Sequence, residues 1–87
     1  MLNQVVLVGR VKNINREKNT IELVIPGQNE EDKSTLIRVY LTEDMMNNME
    51  NYVDDLSIVG VKGTLKNTKG YGIKVVASKI TFLSSRQ

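Results

Sequence analysis

The sequence predicts an all-β domain: a small five-stranded barrel with one helix between its third and fourth strands. Three observations carry this. Five short segments rich in β-branched residues read as strands, the second and third of them with alternating faces at a period of two. A single segment, after the third of them, changes to helical spacing. Glycines fall inside the first and fourth segments, where a small barrel has to coil sharply.

Val5 to Val11 is too short for a buried helix of its own and reads as the first strand, with Gly9 marking a bend or bulge. Asn13 to Asn19 is polar turn material. In Thr20 to Ile25, the second strand, Ile21, Leu23 and Ile25 alternate with Thr20, Glu22 and Val24, and Pro26-Gly27 ends the run. Gln28 to Ser34 is a charged loop without an apolar residue. In Thr35 to Leu41, the third strand, Thr35, Ile37, Val39 and Leu41 share one face, with Leu36, Arg38 and Tyr40 on the other.

Thr42 then stands as a helix cap, with Glu43 and Asp44 in the first turn, where carboxylates suit the helix dipole. Met45, Met49, Tyr52 and Val53 follow at helical spacing, which makes a helix of about three turns. Its asparagines and Asp54-Asp55 give it a weak intrinsic propensity, so packing has to hold it. Leu56 to Lys66 is the fourth strand, with Gly60 and Gly63 marking curvature. Asn67-Thr68-Lys69-Gly70 is a hairpin turn, and Tyr71 to Leu83 is the last strand. This order is that of a five-stranded OB barrel over residues 1–87. An SH3-like barrel does not usually carry a helix at that place. The helix is expected to plug the open end, with Met45, Met46 and Met49 as core filler. Tyr52 and Phe82 are read as core as well.

The residue inventory excludes whole classes of chemistry. There is no cysteine, hence no disulfide framework, thiolate metal site or cysteine nucleophile. There is no histidine, the usual general base near neutral pH and the commonest zinc ligand. No pair of carboxylates, lysines or tyrosines stands at a catalytic spacing, so neither an enzyme nor a cofactor is expected. Glu30-Glu31-Asp32 lacks the ligand spacing of a calcium loop and reads as a solvated loop tip. Gly70-Tyr71-Gly72 is followed by no helix that could complete a phosphate-binding glycine loop. The first residues have neither the basic lead nor the apolar run of a signal peptide, and no membrane span is read, which makes a cytoplasmic location the expectation.

The net charge of +2 hides an asymmetry. Residues 1–16 carry Arg10, Lys12 and Arg16 and no acid. Residues 17–55 hold all ten acids against three bases. Residues 56–87 carry Lys62, Lys66, Lys69, Lys74, Lys79 and Arg86 and again no acid. If the two ends pair, one face becomes basic, as a polyanion needs. The same lysines also serve to keep strand edges soluble.

Leu2-Asn3-Gln4-Val5-Val6-Leu7-Val8-Gly9-Arg10 is similar to the opening of bacterial single-stranded-DNA-binding proteins. Ile37-Arg38-Val39-Tyr40-Leu41 resembles their third strand. Asn51-Tyr52-Val53 with Ile58 to Leu65 resembles their helix end and fourth strand, and Tyr71 to Ala77 falls where their last strand lies. The resemblance implies an OB fold, single-stranded DNA as partner (RNA being the other polynucleotide open to it), roles in DNA replication and repair, and a homodimer or homotetramer built through the first strand. The apolar Val5–Val8 run permits such an assembly.

The departures are equally specific. The family stacks bases on several aromatics, largely tryptophans, whereas this chain has no tryptophan and only Tyr40, Tyr52, Tyr71 and Phe82. Leu36 stands where tryptophan is common and Thr42 where an aromatic is usual, and no acidic tail tip follows Ser84-Ser85-Arg86-Gln87. Stacking contributes about 1–3 kcal/mol per base, so the lost platforms predict weak binding. The residues left to make a strand-gripping surface are Leu36, Arg38 and Tyr40 of the third strand, and Arg10 and Lys12 of the first. Lys62 of the fourth strand and Lys66, Lys69, Tyr71 and Lys74 around the last hairpin complete it. Cations follow phosphates there and Tyr40 and Tyr71 offer faces to bases. Two alternatives stay open: Arg38 pairing with Glu22 across strands, and Tyr40 buried at a subunit contact. Without the stacking residues, the barrel could also serve as a protein–protein or assembly module.

Overall fold

A computed structural model of the chain describes residues 3–27, 29, 31, 33–50, 57–70 and 72–84. The alternating segments become β1 (Val5–Asn15), β2 (Thr20–Ile25), β3 (Thr35–Tyr40), β4 (Ile58–Thr68) and β5 (Gly72–Ser84), with the helix α1 (Glu43–Glu50) between β3 and β4. They close into a barrel in the order β1-β2-β3-β5-β4. Neighbours are antiparallel except β3 and β5, which meet in parallel at Val39–Val75 and Tyr40–Val76 only. That short seam closes the barrel and leaves β3 and β5 to diverge before it.

β1 serves two partners. Val5 to Arg10 pair with Gly63 to Ile58 of β4, and Arg10 to Asn15 pair with Val24 to Thr20 of β2. Among the described residues, Val5 to Gly9 therefore have a ladder on one edge only. The strand turns from one partner to the other near Gly9, where a Cβ would come within 2.8 Å of the Val24 carbonyl oxygen. The bulge in β1 is not at Gly9 but at Lys12, between Val11 and Asn13. Opposite Lys62 and Gly63 of β4 the bulge falls on β5 at Ser78, which the register passes over between Ala77 and Lys79, and a Cβ on Gly63 would run into the Val76 carbonyl. Gly60 differs from the sequence expectation: a Cβ there meets only ordinary contacts, 3.7 Å to Leu83, so no close approach demands a glycine.

In β2 and β3 the buried Ile21, Leu23 and Val39 lie on the faces the alternation marks. Val11, Ile21, Leu23, Val39, Val59, Val61 and Ala77 form the buried core, with Leu41, Met46 and Met49 closing one end. Thr42 caps α1, its Oγ1 accepting from Met45 N–H at 3.1 Å while its carbonyl accepts from Met46 N–H at 3.0 Å. Met46 and Met49 are both almost fully buried. Burying such side chains is worth about 1.5–3 kcal/mol each, which offsets the helix's weak propensity. Tyr52 and Val53, expected on the same stripe, lie outside the described residues.

Two strands run longer than the apolar alternation indicates. β1 continues through Lys12 to Asn15, a polar ribbon with Ile14 half-buried. β4 continues to Thr68, so the tip of the last hairpin begins at Lys69, not Asn67. Gly70 and Gly72 there take φ of 75° and 86°. Phe82, expected in the core, is 42% exposed instead. It pairs with Val59 beside the irregularity at the start of β4, where the sheet ends at the barrel rim. Among the described residues no helix is long and apolar enough to cross a membrane.

Candidate nucleic-acid interface

The divergence of β3 from β5 opens a groove of about 590 Å³ along the seam. Its walls come from the outer face of β3 (Leu36, Arg38, Tyr40), the start of β5 (Ile73, Lys74) and Glu22 of β2. Period-two alternation puts the polar and flat side chains here, because Ile37 and Val39 turn inward. A second concavity, about 680 Å³, adjoins it under the β1–β2 turn and shares Glu22 and Arg38 with it. Arg16 and Lys18 of that turn line it. The turn is held by Asn15, whose Oδ1 accepts from Lys18 N–H at 3.1 Å, and by Asn19 at φ 53°, a left-handed position that asparagine tolerates. The result is one continuous trough from the β1–β2 turn, across β2 and β3, to the β4–β5 hairpin.

Inside the trough the side chains are organised by charge. The Lys74 ammonium lies 4.8 Å from the centroid of the Tyr40 ring, a cation–π contact. Arg38 stands opposite Glu22 in the β2–β3 register. The Glu22 carboxylate accepts from Asn13 Nδ2 at 2.6 Å. Leu36 is 49% and Ile73 70% exposed, so two aliphatic surfaces stand where flat ones are scarce.

The remaining expected residues are spread more widely than one concave surface. Lys66 faces Lys74 directly across β4 and β5, and Lys69 is at the hairpin tip beyond it. Lys62 is exposed on β4 between Val6 and Lys79, four residue pairs along the ladder from Lys66 and away from the groove. Arg10 lines a separate hollow with Val8, Val24, Pro26, Ser34 and Ile58, and Lys12 sits exposed at the β1 bulge. Tyr71 lies outside the described residues. The trough thus brings together Leu36, Arg38, Tyr40 and Lys74, with Lys66 adjacent. Glu22, Ile73 and the Arg16–Lys18 turn belong to it although no sequence motif marks them. Their only signals were a basic turn and an alternation that puts Glu22 on the face of Val24.

Two like-charged pairs stand face to face on the β4–β5 ribbon, Lys62 with Lys79 and Lys66 with Lys74. Opposed like charges destabilise a sheet, and residues 56–87 contain no acid to relieve them.

No protein-family model matches the sequence, and no curated protein matches it. Solved structures do. The mitochondrial single-stranded DNA binding protein Rim1 of S. cerevisiae is similar with a TM-score of 0.82 at 16% identity, over 97% of both chains. The small single-stranded DNA-binding protein of Streptomyces coelicolor gives 0.70 at 16% identity, over 95% of this chain and 96% of that one. The SSB of Plasmodium falciparum, solved with single-stranded DNA, gives 0.66 at 18% identity over 97% of both. Matches that span nearly the whole of each chain leave no segment of the barrel unaccounted for: this chain has the OB fold of those single-stranded DNA binding proteins.

Proposed function

We propose that the chain binds single-stranded DNA without reading its sequence, through the trough that runs from the β1–β2 turn to the β4–β5 hairpin. One observation carries the reading: the groove at the β3–β5 seam sets Arg38 and Lys74 beside the Tyr40 ring and the Leu36 and Ile73 side chains. That combination offers cations to phosphates and apolar or flat surfaces to bases, and its position is the one OB barrels use for oligonucleotides. The fold shared with single-stranded DNA binding proteins supports it. So do the opposed lysines, whose repulsion a polyanion relieves. With one tyrosine among the described residues of the groove as base platform, binding is weak, and RNA shares the chemistry. The protein acts as a passive binder rather than an enzyme, in the cytoplasm, in DNA replication or repair.

The unpartnered edge of Val5–Gly9 and the exposed Val6 and Val8 support a homodimer or homotetramer formed through β1. A second reading, a protein-assembly module, draws on the aliphatic Leu36 and Ile73 in the groove.

Titration of fluorescent oligo-dT across a salt series tests the first reading. A single strand loses affinity with a log–log slope of about −0.7 per phosphate engaged. Contacts to Arg38, Lys66 and Lys74 alone give a slope near −2 by that rule. Replacing Arg38 and Lys74 with Glu abolishes binding and leaves the oligomer intact. Absence of binding at high micromolar protein in low salt overturns the reading. A stoichiometric protein partner recovered without nucleic acid establishes the second.

A further inference from the structure

We propose that Lys74 and Tyr40 work as an exchange pair: the lysine ammonium occupies the tyrosine face in the free protein, and an incoming base displaces it onto a phosphate. This rests on the trough being a single-strand site and deepens that reading by assigning the order of events within it.

The argument starts from geometry. Tyr40 is half-buried on β3 and Lys74 half-buried on β5, and the parallel seam places Val76 beside Tyr40, so Lys74 reaches the ring from one pleat earlier. Its ammonium sits 4.8 Å from the ring centroid. A base needs contact with a ring face at van der Waals distance, so a base stacking on that face and the ammonium over it exclude one another. Lys74 cannot simply withdraw without a destination, because Lys66 lies directly across the ladder and repels it. The open side is the groove itself, along which the phosphate of the stacked nucleotide runs. Displacement therefore moves the charge from the ring quadrupole to a full anion.

The exchange makes two unusual predictions, both set by the ring–ammonium contact, which at exposed sites amounts to about two- to fivefold in an equilibrium constant. For a strand bearing bases, each single variant, Tyr40→Leu or Lys74→Met, loses its own contact but escapes the cost of breaking the pair. The double variant escapes that cost only once. It therefore binds oligo-dT about two- to fivefold more weakly than the product of the two single losses gives. For an abasic strand no base claims the ring, and the ring only holds Lys74 back from phosphate. Tyr40→Leu then binds abasic strand more tightly than the unaltered protein, by up to the same factor.

The test titrates oligo-dT and an abasic oligomer of equal length against the four proteins at one low salt concentration, each first shown to be folded by circular dichroism. A measurement on the unaltered protein stands beside it, in case Tyr40→Leu does not fold. The Lys74 side-chain protons, shifted upfield in the NMR spectrum by the ring beneath them, move toward their ordinary positions as oligo-dT is added. Tighter abasic binding by Tyr40→Leu, a super-additive double variant, and loss of the upfield shift support the exchange. Additive or sub-additive losses, weaker or unchanged abasic binding, or an upfield shift that persists at saturation overturn it while the single-strand site stands. If the unaltered protein binds no oligo-dT at all, the site itself falls.

Discussion

The acid in the middle of the trough offers the sharpest test of where a strand lies. Glu22 belongs to both concavities and stands opposite Arg38 in the β2–β3 register. A strand following the trough passes it, so its carboxylate repels the nearest phosphate. At about 6 Å in water two unit charges repel by about 0.7 kcal/mol. Removing the charge thus tightens binding about threefold, and more where the groove lowers the local dielectric. Glu22→Gln is the apt perturbation, because its amide oxygen can still accept from Asn13 Nδ2, the 2.6 Å bond that anchors the side chain. The assay is a fluorescence anisotropy titration with oligo-dT at low salt and again near 1 M. The Debye length falls from about 10 Å at 0.1 M to about 3 Å at 1 M, so the gain fades as salt rises. A folded Glu22→Gln protein that binds no more tightly at low salt removes Glu22 from the strand's path and refutes the trough as drawn. A gain that persists at high salt refutes the electrostatic origin.

Other expectations follow from the barrel. Gly63→Ala drives a methyl group into the Val76 carbonyl and lowers stability by about 1–3 kcal/mol in chemical denaturation, whereas Gly60→Ala on the same strand stays within about 0.5 kcal/mol. Thr42→Ala removes the Oγ1 acceptor of Met45 N–H and costs about 1 kcal/mol, read by the same denaturation curves. Val6→Glu with Val8→Lys puts charges on the exposed face of β1 and lowers the mass measured by light scattering to that of a single chain; an unchanged mass excludes association through this strand.

Strand identity was legible because the alternating residues of β2 and β3 do turn in and out as a pleated sheet requires: Ile21, Leu23 and Val39 are all buried. Strand length was not. Lys12 to Asn15 and Asn67 to Thr68 continue their ladders with Ile14 as their one apolar side chain, held by backbone pairing that leaves no hydrophobic period to read. For the site, Leu36, Arg38 and Tyr40 were legible as one face, since they alternate on a single strand. Which lysines join them was not, because that depends on register and closure. Lys74 enters the groove since β5 meets β3 at Val75 and Val76, while Lys62, four pairs along the same ladder from Lys66, faces Lys79 beyond the β5 bulge. Glu22 was weighed only as a partner for Arg38. In the fold its carboxylate is taken by Asn13, a residue the β1 bulge brings opposite it.

Near its beginning the chain makes an unusual stitch. The side-chain amide of Asn3 donates through Nδ2 to the Leu65 carbonyl at 2.9 Å and accepts through Oδ1 from the Leu65 N–H at 3.0 Å. A side chain here does what a peptide group does in a ladder, and it does so where β4 is about to leave the barrel for the hairpin. The arm carrying Lys66 and Lys69 is thereby moored at its root by the opening residues. A fusion tag joined ahead of Asn3 thus pulls on the two bonds at the root of that arm, and a label meant to report on the arm without disturbing them is better placed on the exposed Asn67.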